Sequence, residues 1–242
     1  SGHAVECRIY AEDPDADFMP STGTLHEWTQ PSGTGIRVDS GVREGDVVSI
    51  HYDPMLAKVI AYGRSREEAR RRLLRALADT KILGLQTNKA FIDQILNDPR
   101  FIHGEATTAL IDEKTLANAS RAADPENGNV ALAALLLQTQ QGLVQADSWQ
   151  WSNSAATAMN LKLAGYGREW TVDCVHECRV FQARLEDVTH TIQIHSVDGT
   201  TCTYTTDGIR QSASFVIDGS SIYLEARGQL LHLDNVTYAA AL

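Results

Sequence analysis

The chain has 242 residues, with 31 acidic against 21 basic side chains and a formal charge of −10 at pH 7, a balance that argues against nucleic acid or an anionic membrane surface as partners. That length suits two ordinary domains, each with its own core. No apolar run approaches the roughly 20 residues a membrane-spanning helix needs, so the sequence predicts a soluble protein.

The chain opens at Ser1, with no initiator Met or signal-like segment, directly into a strand-like run, Val5-Glu6-Cys7-Arg8-Ile9-Tyr10; it reads as an internal piece of a longer polypeptide. Turn formers follow at Asp13-Pro14 and over 20–23, then a strand over 24–28 and a Pro31-Ser32-Gly33-Thr34-Gly35 loop. The next strand alternates Ile36 and Val38 with Arg37 and Asp39, which places both charges on one face and the apolar pair on the other. On pattern alone that charged face is either solvated, as charges in strands usually are, or the wall of a pocket. Asp39 either orients Arg37 or simply solvates its strand; the second is expected, because an i, i+2 pair shares a face without needing contact. Further strands are predicted over 47–51 and 56–62. Between them Asp53-Pro54 reads as a turn, with Pro fixing φ and Asp bonding backbone amides, and Lys58 as a salt-bridged or exposed strand residue.

The clearest helix begins at Ser65, where Glu68 completes a capping box. Its apolar stripe is Ala69, Leu73, Ala76 and Leu77, and Arg66, Arg70, Arg71, Arg72 and Arg75 are expected on its solvated face. Asn88 is expected to cap a second helix carrying Phe91, Ile92, Ile95 and Leu96, ending before Asp98-Pro99. Residues 118–129 hold no large apolar residue and read as a linker between domains at 1–117 and 130–242. A helix over 130–141 is apolar on more than half its circumference through Leu132, Leu135, Leu136 and Leu137, and such a helix needs enclosure. Beyond Trp149 the pattern switches to period two, with turn signals at Gly165, Glu186-Asp187, Asp198-Gly199, Asp207-Gly208, Asp218-Gly219 and Arg227-Gly228. The fold class is therefore α+β: a mixed antiparallel sheet with helices, then an antiparallel barrel wrapped around one long helix. The four cysteines, Cys7, Cys174, Cys178 and Cys202, lack paired metal-ligand spacing and fit a reduced compartment; Cys174 and Cys178 read as strand packing rather than metal ligands.

The motifs Gly2-His3-Ala4-Val5-Glu6-Cys7-Arg8-Ile9-Tyr10-Ala11-Glu12-Asp13-Pro14, Phe18-Met19-Pro20-Ser21-Thr22-Gly23, Gly35-Ile36-Arg37-Val38-Asp39-Ser40-Gly41 and Tyr52-Asp53-Pro54-Met55-Leu56-Ala57-Lys58 closely resemble the C-terminal domain of biotin carboxylases. The series continues through Ser65-Arg66-Glu67-Glu68-Ala69 and Gly84-Leu85-Gln86-Thr87-Asn88 to Thr107. The rest, one helix and then hairpins ending in Ile222-Tyr223-Leu224, looks like the domain of acyl-CoA carboxylase α subunits that binds the carboxyltransferase β subunit. It is most similar to the 3-methylcrotonyl-CoA type, an enzyme of leucine catabolism. Neither the family's glycine-rich ATP-grasp region with its metal-binding Glu-x-Asn segment nor the biotin-bearing Met-Lys-Met is found in the sequence.

The resemblance implies a parent ligase that uses biotin, ATP and Mg or Mn. ATP activates bicarbonate as carboxyphosphate, and negative charge builds on biotin's ureido oxygen as its nitrogen is deprotonated. Arg37 matches the family's arginine that stabilises that oxygen, a task suited to a permanently charged, planar, multi-donor group. By itself the chain is expected to bind no cofactor and to be inactive. Implied partners are the β subunit through the C-terminal domain, the biotin carrier domain of the same α subunit, and a second copy through the N-terminal domain. The implied compartment is bacterial cytoplasm or mitochondrial matrix. Two other readings stay open: a non-catalytic dimerisation and docking scaffold, and an unrelated ligand-binding β-barrel, which Leu132, Leu135 and Leu136 would oppose if they fill the interior.

Overall fold

Period-two alternation in three segments builds the sheet that organises the first half of the chain. The computed structural model describes residues 2–111, 125–140, 157–177 and 180–237. It divides into two units, Ser1–Ala122 and Ala123–Leu242. In chain order the first has strands β1 (His3–Tyr10), β2 (Glu12–Asp13), β3 (Met19–Pro20), β4 (Gly23–Thr24), β5 (Glu27–Thr29), β6 (Ile36–Ser40), β7 (Val47–Val48), β8 (Met55–Gly63) and β9 (Lys81–Leu83), and helices α1 (Arg66–Asp79), α2 (Lys89–Asn97) and α3 (Pro99–His103). The main sheet runs β1-β8-β6, antiparallel throughout, and three two-stranded pairs, β2-β3, β4-β7 and β5-β9, surround it.

One face of the main sheet carries Val5 and Ile9 from β1, Ala57, Val59 and Ala61 from β8, and Ile36 and Val38 from β6. On it packs the α1 stripe of Ala69, Leu73, Ala76 and Leu77, so the strand and helix periods meet in one core. The expected strand over 24–28 divides into β4 and β5, with buried Leu25 between them. The one expected over 47–51 stops at Val48, and Ile50 lies exposed in a turn. Its β-branched residues favour a strand, but the ladder offers β7 only two partners on β4.

Helix α1 starts as the capping pattern predicts. Ser65 Oγ accepts from the Glu68 N–H at 3.2 Å, while Glu68 Oε2 accepts from Arg64 N–H at 2.7 Å, one residue beyond the usual reciprocal bond. Arg70 departs from the expected solvated face: it is buried, donating to the Glu67 carboxylate at 2.8 and 2.9 Å, to the Leu96 carbonyl at 3.0 Å and to Asn97 Oδ1 at 3.3 Å. It thereby ties α1 to the end of α2. Glu67 also accepts from Arg71, and these hydrogen bonds from Arg70 and Arg71 hold its carboxyl down at about 2. Arg66 likewise turns inward, donating to the Phe101 carbonyl at 2.8 Å and lying over its ring. Asn88 precedes α2 without a side-chain cap bond. Its Oδ1 accepts from Tyr10 N–H at 3.0 Å and its Nδ2 donates to the Arg8 carbonyl at 3.2 Å, so the side chain pins the helix to β1 instead.

The second unit comprises helix α4 (Asn127–Gln140) and strands β10 (Thr157–Gly165), β11 (Arg168–Glu177), β12 (Val180–Leu185), β13 (Val188–Asp198), β14 (Thr201–Thr206), β15 (Ile209–Asp218), β16 (Ser221–Ala226) and β17 (Gln229–Asn235). Each strand pairs antiparallel with the next, and Leu163 and Ala164 of β10 meet Asn235 and Asp234 of β17 to close the barrel. Tyr166-Gly167, Asp207-Gly208 and Arg227-Gly228 have positive φ at both residues, the hairpin turn whose twist matches that of its strands.

Helix α4 begins at Asn127, three residues before the expected start, so the segment read as a linker ends in helix; residues 118–124 lie outside the described residues. Every residue over 130–137 is buried, packed with Trp170, Phe181, Tyr204, Phe215, Leu224 and Leu233 in the barrel's core. A helix without a polar face is stable only when enclosed, and the closed sheet encloses this one. Leu132, Leu135 and Leu136 occupy the interior, which sets aside the reading of a ligand-holding barrel. Buried Asn129 donates to Gln229 Oε1 at 2.9 Å and to the Ala226 carbonyl at 3.3 Å, satisfying the one amide the early helix start brings inside. Cys174 and Cys202 join this core, where burial pushes both thiols up to about 12; Cys178 lies outside the described residues.

Leu135→Ala is expected to cost the barrel unit about 2–5 kcal/mol, the range for a large-to-small change in a core that cannot collapse. Urea unfolding of the variant against the parent chain measures it.

Candidate functional site

In an antiparallel ladder, directly opposed residues project from the same face. The register therefore sets two rows of side chains across the main sheet on the side away from α1: Glu6-Ile60-Arg37 and Arg8-Lys58-Asp39. Arg37 lies where the sequence placed it, on β6 with its charged side turned outward. Three cations and two acids share this open face, within a chain whose net charge is −10.

Asp39 corrects one expectation. Its Oδ1 accepts from Arg37 Nε at 2.9 Å, and that hydrogen bond raises the Arg37 pKa further above its ordinary value. Lys58, although directly across the ladder from Asp39, makes no ion pair with it among the described residues. The Arg37 and Asp39 side chains are 73% and 43% exposed, so water screens the pair and it adds little to stability. Arg37 Nη1 and Nη2 have no hydrogen-bond partner among the described residues, which leaves one edge of the guanidinium free to donate. At the other end of the same two rows, Arg8 Nε donates to Glu6 Oε1 at 3.3 Å.

The backbone that delivers Arg37 is fixed at both ends. At the entry, Gly35 has φ +78°, in the left-handed region, and its carbonyl accepts from Tyr62 N–H at 2.7 Å. A Cβ at this position would stand 2.7 Å from the Tyr62 carbonyl oxygen. That same oxygen accepts from Arg72 Nη1 of α1 at 2.7 Å, while Arg72 Nη2 is held by Glu68. Arg72 is expected among the solvated arginines of α1, and no local pattern marks it as the link from the helix to the Tyr62 carbonyl of β8, opposite the start of β6. At the exit, Gly41 N–H donates to the Leu56 carbonyl at 3.0 Å. The turn before β8 is built as expected: Asp53 Oδ1 accepts from Met55 N–H at 2.9 Å and the Pro54 carbonyl accepts from Ala11 N–H at 2.9 Å. Among the described residues no cluster of three His, Cys, Asp or Glu could hold a metal, and no helix is long and apolar enough to cross a membrane.

Residues 6–113 match the family model of the biotin carboxylase C-terminal domain. The chain is 40% identical over 167 residues to the mitochondrial methylcrotonoyl-CoA carboxylase subunit alpha of Dictyostelium discoideum, an alignment covering 67% of this chain and 24% of that protein. It is 48% identical over 110 residues to the biotin carboxylase of Halalkalibacterium halodurans, covering 46% of this chain and 24% of the relative. With the mitochondrial propionyl-CoA carboxylase alpha chain of Homo sapiens it shares 42% identity over 115 residues, 47% of this chain and 16% of that one. A solved structure of Rhizobium etli pyruvate carboxylase superposes with a TM-score of 0.52 at 33% identity, over 57% of this chain and 14% of that one. The chain thus spans about a quarter or less of the length of these relatives.

Gly35→Ala is expected to destabilise the first unit by about 1–2 kcal/mol from the left-handed backbone alone, and by more if the contact with the Tyr62 carbonyl forces β6 to shift. Chemical denaturation, with hydrogen exchange at the Tyr62 amide, reads both effects.

Proposed function

We propose, from the match of residues 6–113 to the biotin carboxylase C-terminal domain family, that this chain is part of the α subunit of a biotin-dependent acyl-CoA carboxylase of the 3-methylcrotonyl-CoA type. The finer assignment is supported by the Dictyostelium alignment, which covers more of the chain than the family match and so extends beyond the part shared with other carboxylases. In this reading the parent enzyme carboxylates biotin at the expense of ATP and bicarbonate, with Mg or Mn. The ATP-binding half and the biotinyl lysine come from sequence outside these 242 residues, and the chain alone is inactive.

Biotin, when bound, supplies the ureido nitrogen that accepts the carboxyl group. The task left to this chain is to stabilise the negative charge that develops on the neighbouring ureido oxygen. The observation that carries the proposal is Arg37: a guanidinium on an open sheet face, fixed through Nε and free at both Nη atoms. Its charge persists at any working pH and its remaining N–H groups lie in one plane, as an oxyanion requires. Arg37→Ala, in a longer polypeptide that carries the ATP-binding half, should lower carboxylation of free biotin by about 100- to 1000-fold, the range for one oxyanion donor. A variant with an undiminished rate would remove Arg37 from the site.

For the second unit we infer docking of the carboxyltransferase β subunit. The barrel interior is filled by its own helix, so the surface available to a partner is the outside of the strands and their turns. Deleting residues 130–242 should abolish co-purification of the β subunit, whereas retained binding would reassign the barrel.

A further inference from the structure

Resting on the reading of Arg37 just given, we propose that Asp39 is a positioning residue for the same reaction: it holds the guanidinium by Nε so that the Nη edge is presented to the developing oxyanion. An arginine on an exposed strand has a long, flexible stem, and its guanidinium samples many directions unless something holds it. Asp39 has two cationic neighbours, Arg37 two residues before it on β6 and Lys58 directly opposite on β8. Of the two, its carboxylate takes Arg37, at 2.9 Å through Nε. A bond at Nε leaves all four Nη hydrogens available, whereas a fork-to-fork pair would occupy one Nη as well. Lys58, left without an ion pair among the described residues, stays on the same face as a second positive charge beside Asp39.

With both side chains so exposed, the pair contributes little to folding, so fixing the direction of Arg37 is the role the geometry leaves to Asp39. The test uses three variants in the intact carboxylase: Arg37→Ala, Asp39→Asn and the double variant, each assayed for biotin-dependent carboxylation and for thermal unfolding. Asp39→Asn is expected to lower kcat by about 10- to 100-fold, the span of one charge-assisted hydrogen bond, with the unfolding midpoint and the KM for ATP unchanged. The double variant should be no slower than Arg37→Ala, because Asp39 acts only through Arg37. An Asp39→Asn enzyme at full rate beside an impaired Arg37→Ala enzyme would overturn this inference and leave the reading of Arg37 standing. So would a double variant slower than Arg37→Ala by the full Asp39→Asn factor. An Arg37→Ala enzyme at full rate would overturn both.

Discussion

Strand β8 is the constraint on which the first unit depends. It is the central strand of the main sheet, hydrogen-bonded to β1 along one edge and to β6 along the other, and its two faces have opposite fates. Ala57, Val59 and Ala61 lie under α1, while Lys58 and Ile60 stand on the other side, and from Ala57 to Ala61 the period of two keeps the two sets apart. A slip of one residue would bring Lys58 beneath the helix and turn Val59 to water, so burial against α1 fixes the register. Once β8 is fixed, β6 can pair in only one phase, and that phase sends Arg37 and Asp39 outward together. The catalytic assignment proposed for Arg37 is thus a consequence of packing on the opposite face, transmitted through a ladder and completed by Arg72 at the Tyr62 carbonyl.

The barrel unit answers a different problem. Helix α4 has apolar residues on every side, so no single sheet face could cover it, and closing eight strands around it removes the exposure along with the sheet edges. At three of the hairpins two-residue turns with left-handed backbone keep consecutive strands adjacent, and each strand pairs with the next, which makes closure a matter of local contacts until β17 meets β10. The exception is the helix itself, whose contacts with the strands span long stretches of sequence. Buried Asn129, bonded to Gln229 and the Ala226 carbonyl, then fixes how the start of the helix sits against the β16-β17 hairpin.

What could be read from sequence follows from what each residue answers to. The alternation in β6 and β8, the stripe of α1 and the turns of the barrel are local periodicities imposed by burial, and they stood in the chain as written. The Arg70 environment did not, because a charge on a helix reads as solvated until a carboxylate three residues earlier and a carbonyl on another helix are both within reach. Asn88 reads as a cap because its position is right, yet two backbone groups of β1 compete for its amide and win. The stretch beyond Val48 has strand propensity and no ladder to join. The Asp39 contact is hidden for a related reason: sharing a face is a property of the strand, whereas touching Arg37 rather than Lys58 is decided by side-chain reach, which periodicity does not encode.

The family motifs single out Arg37 as the candidate site residue, and its exposure explains why such a residue can be separated from the stability of its own domain. A guanidinium buried to serve catalysis would need its charge compensated on all sides, and removing it would unfold the region around it. Arg37 instead stands on a face that water reaches, fixed at one nitrogen by a neighbour two residues away and delivered by a backbone locked at Gly35 and Gly41. The rigidity resides in the sheet and in α1, and the chemistry proposed for this face in a side chain that the core does not need. In the proposed role, the desolvation that strengthens a charge against a developing oxyanion has to be supplied by a surface other than this open face. On the role proposed for Arg37, the open side of β6 and β8 is half of a site, and its strength as an oxyanion donor is set by the surface that meets it.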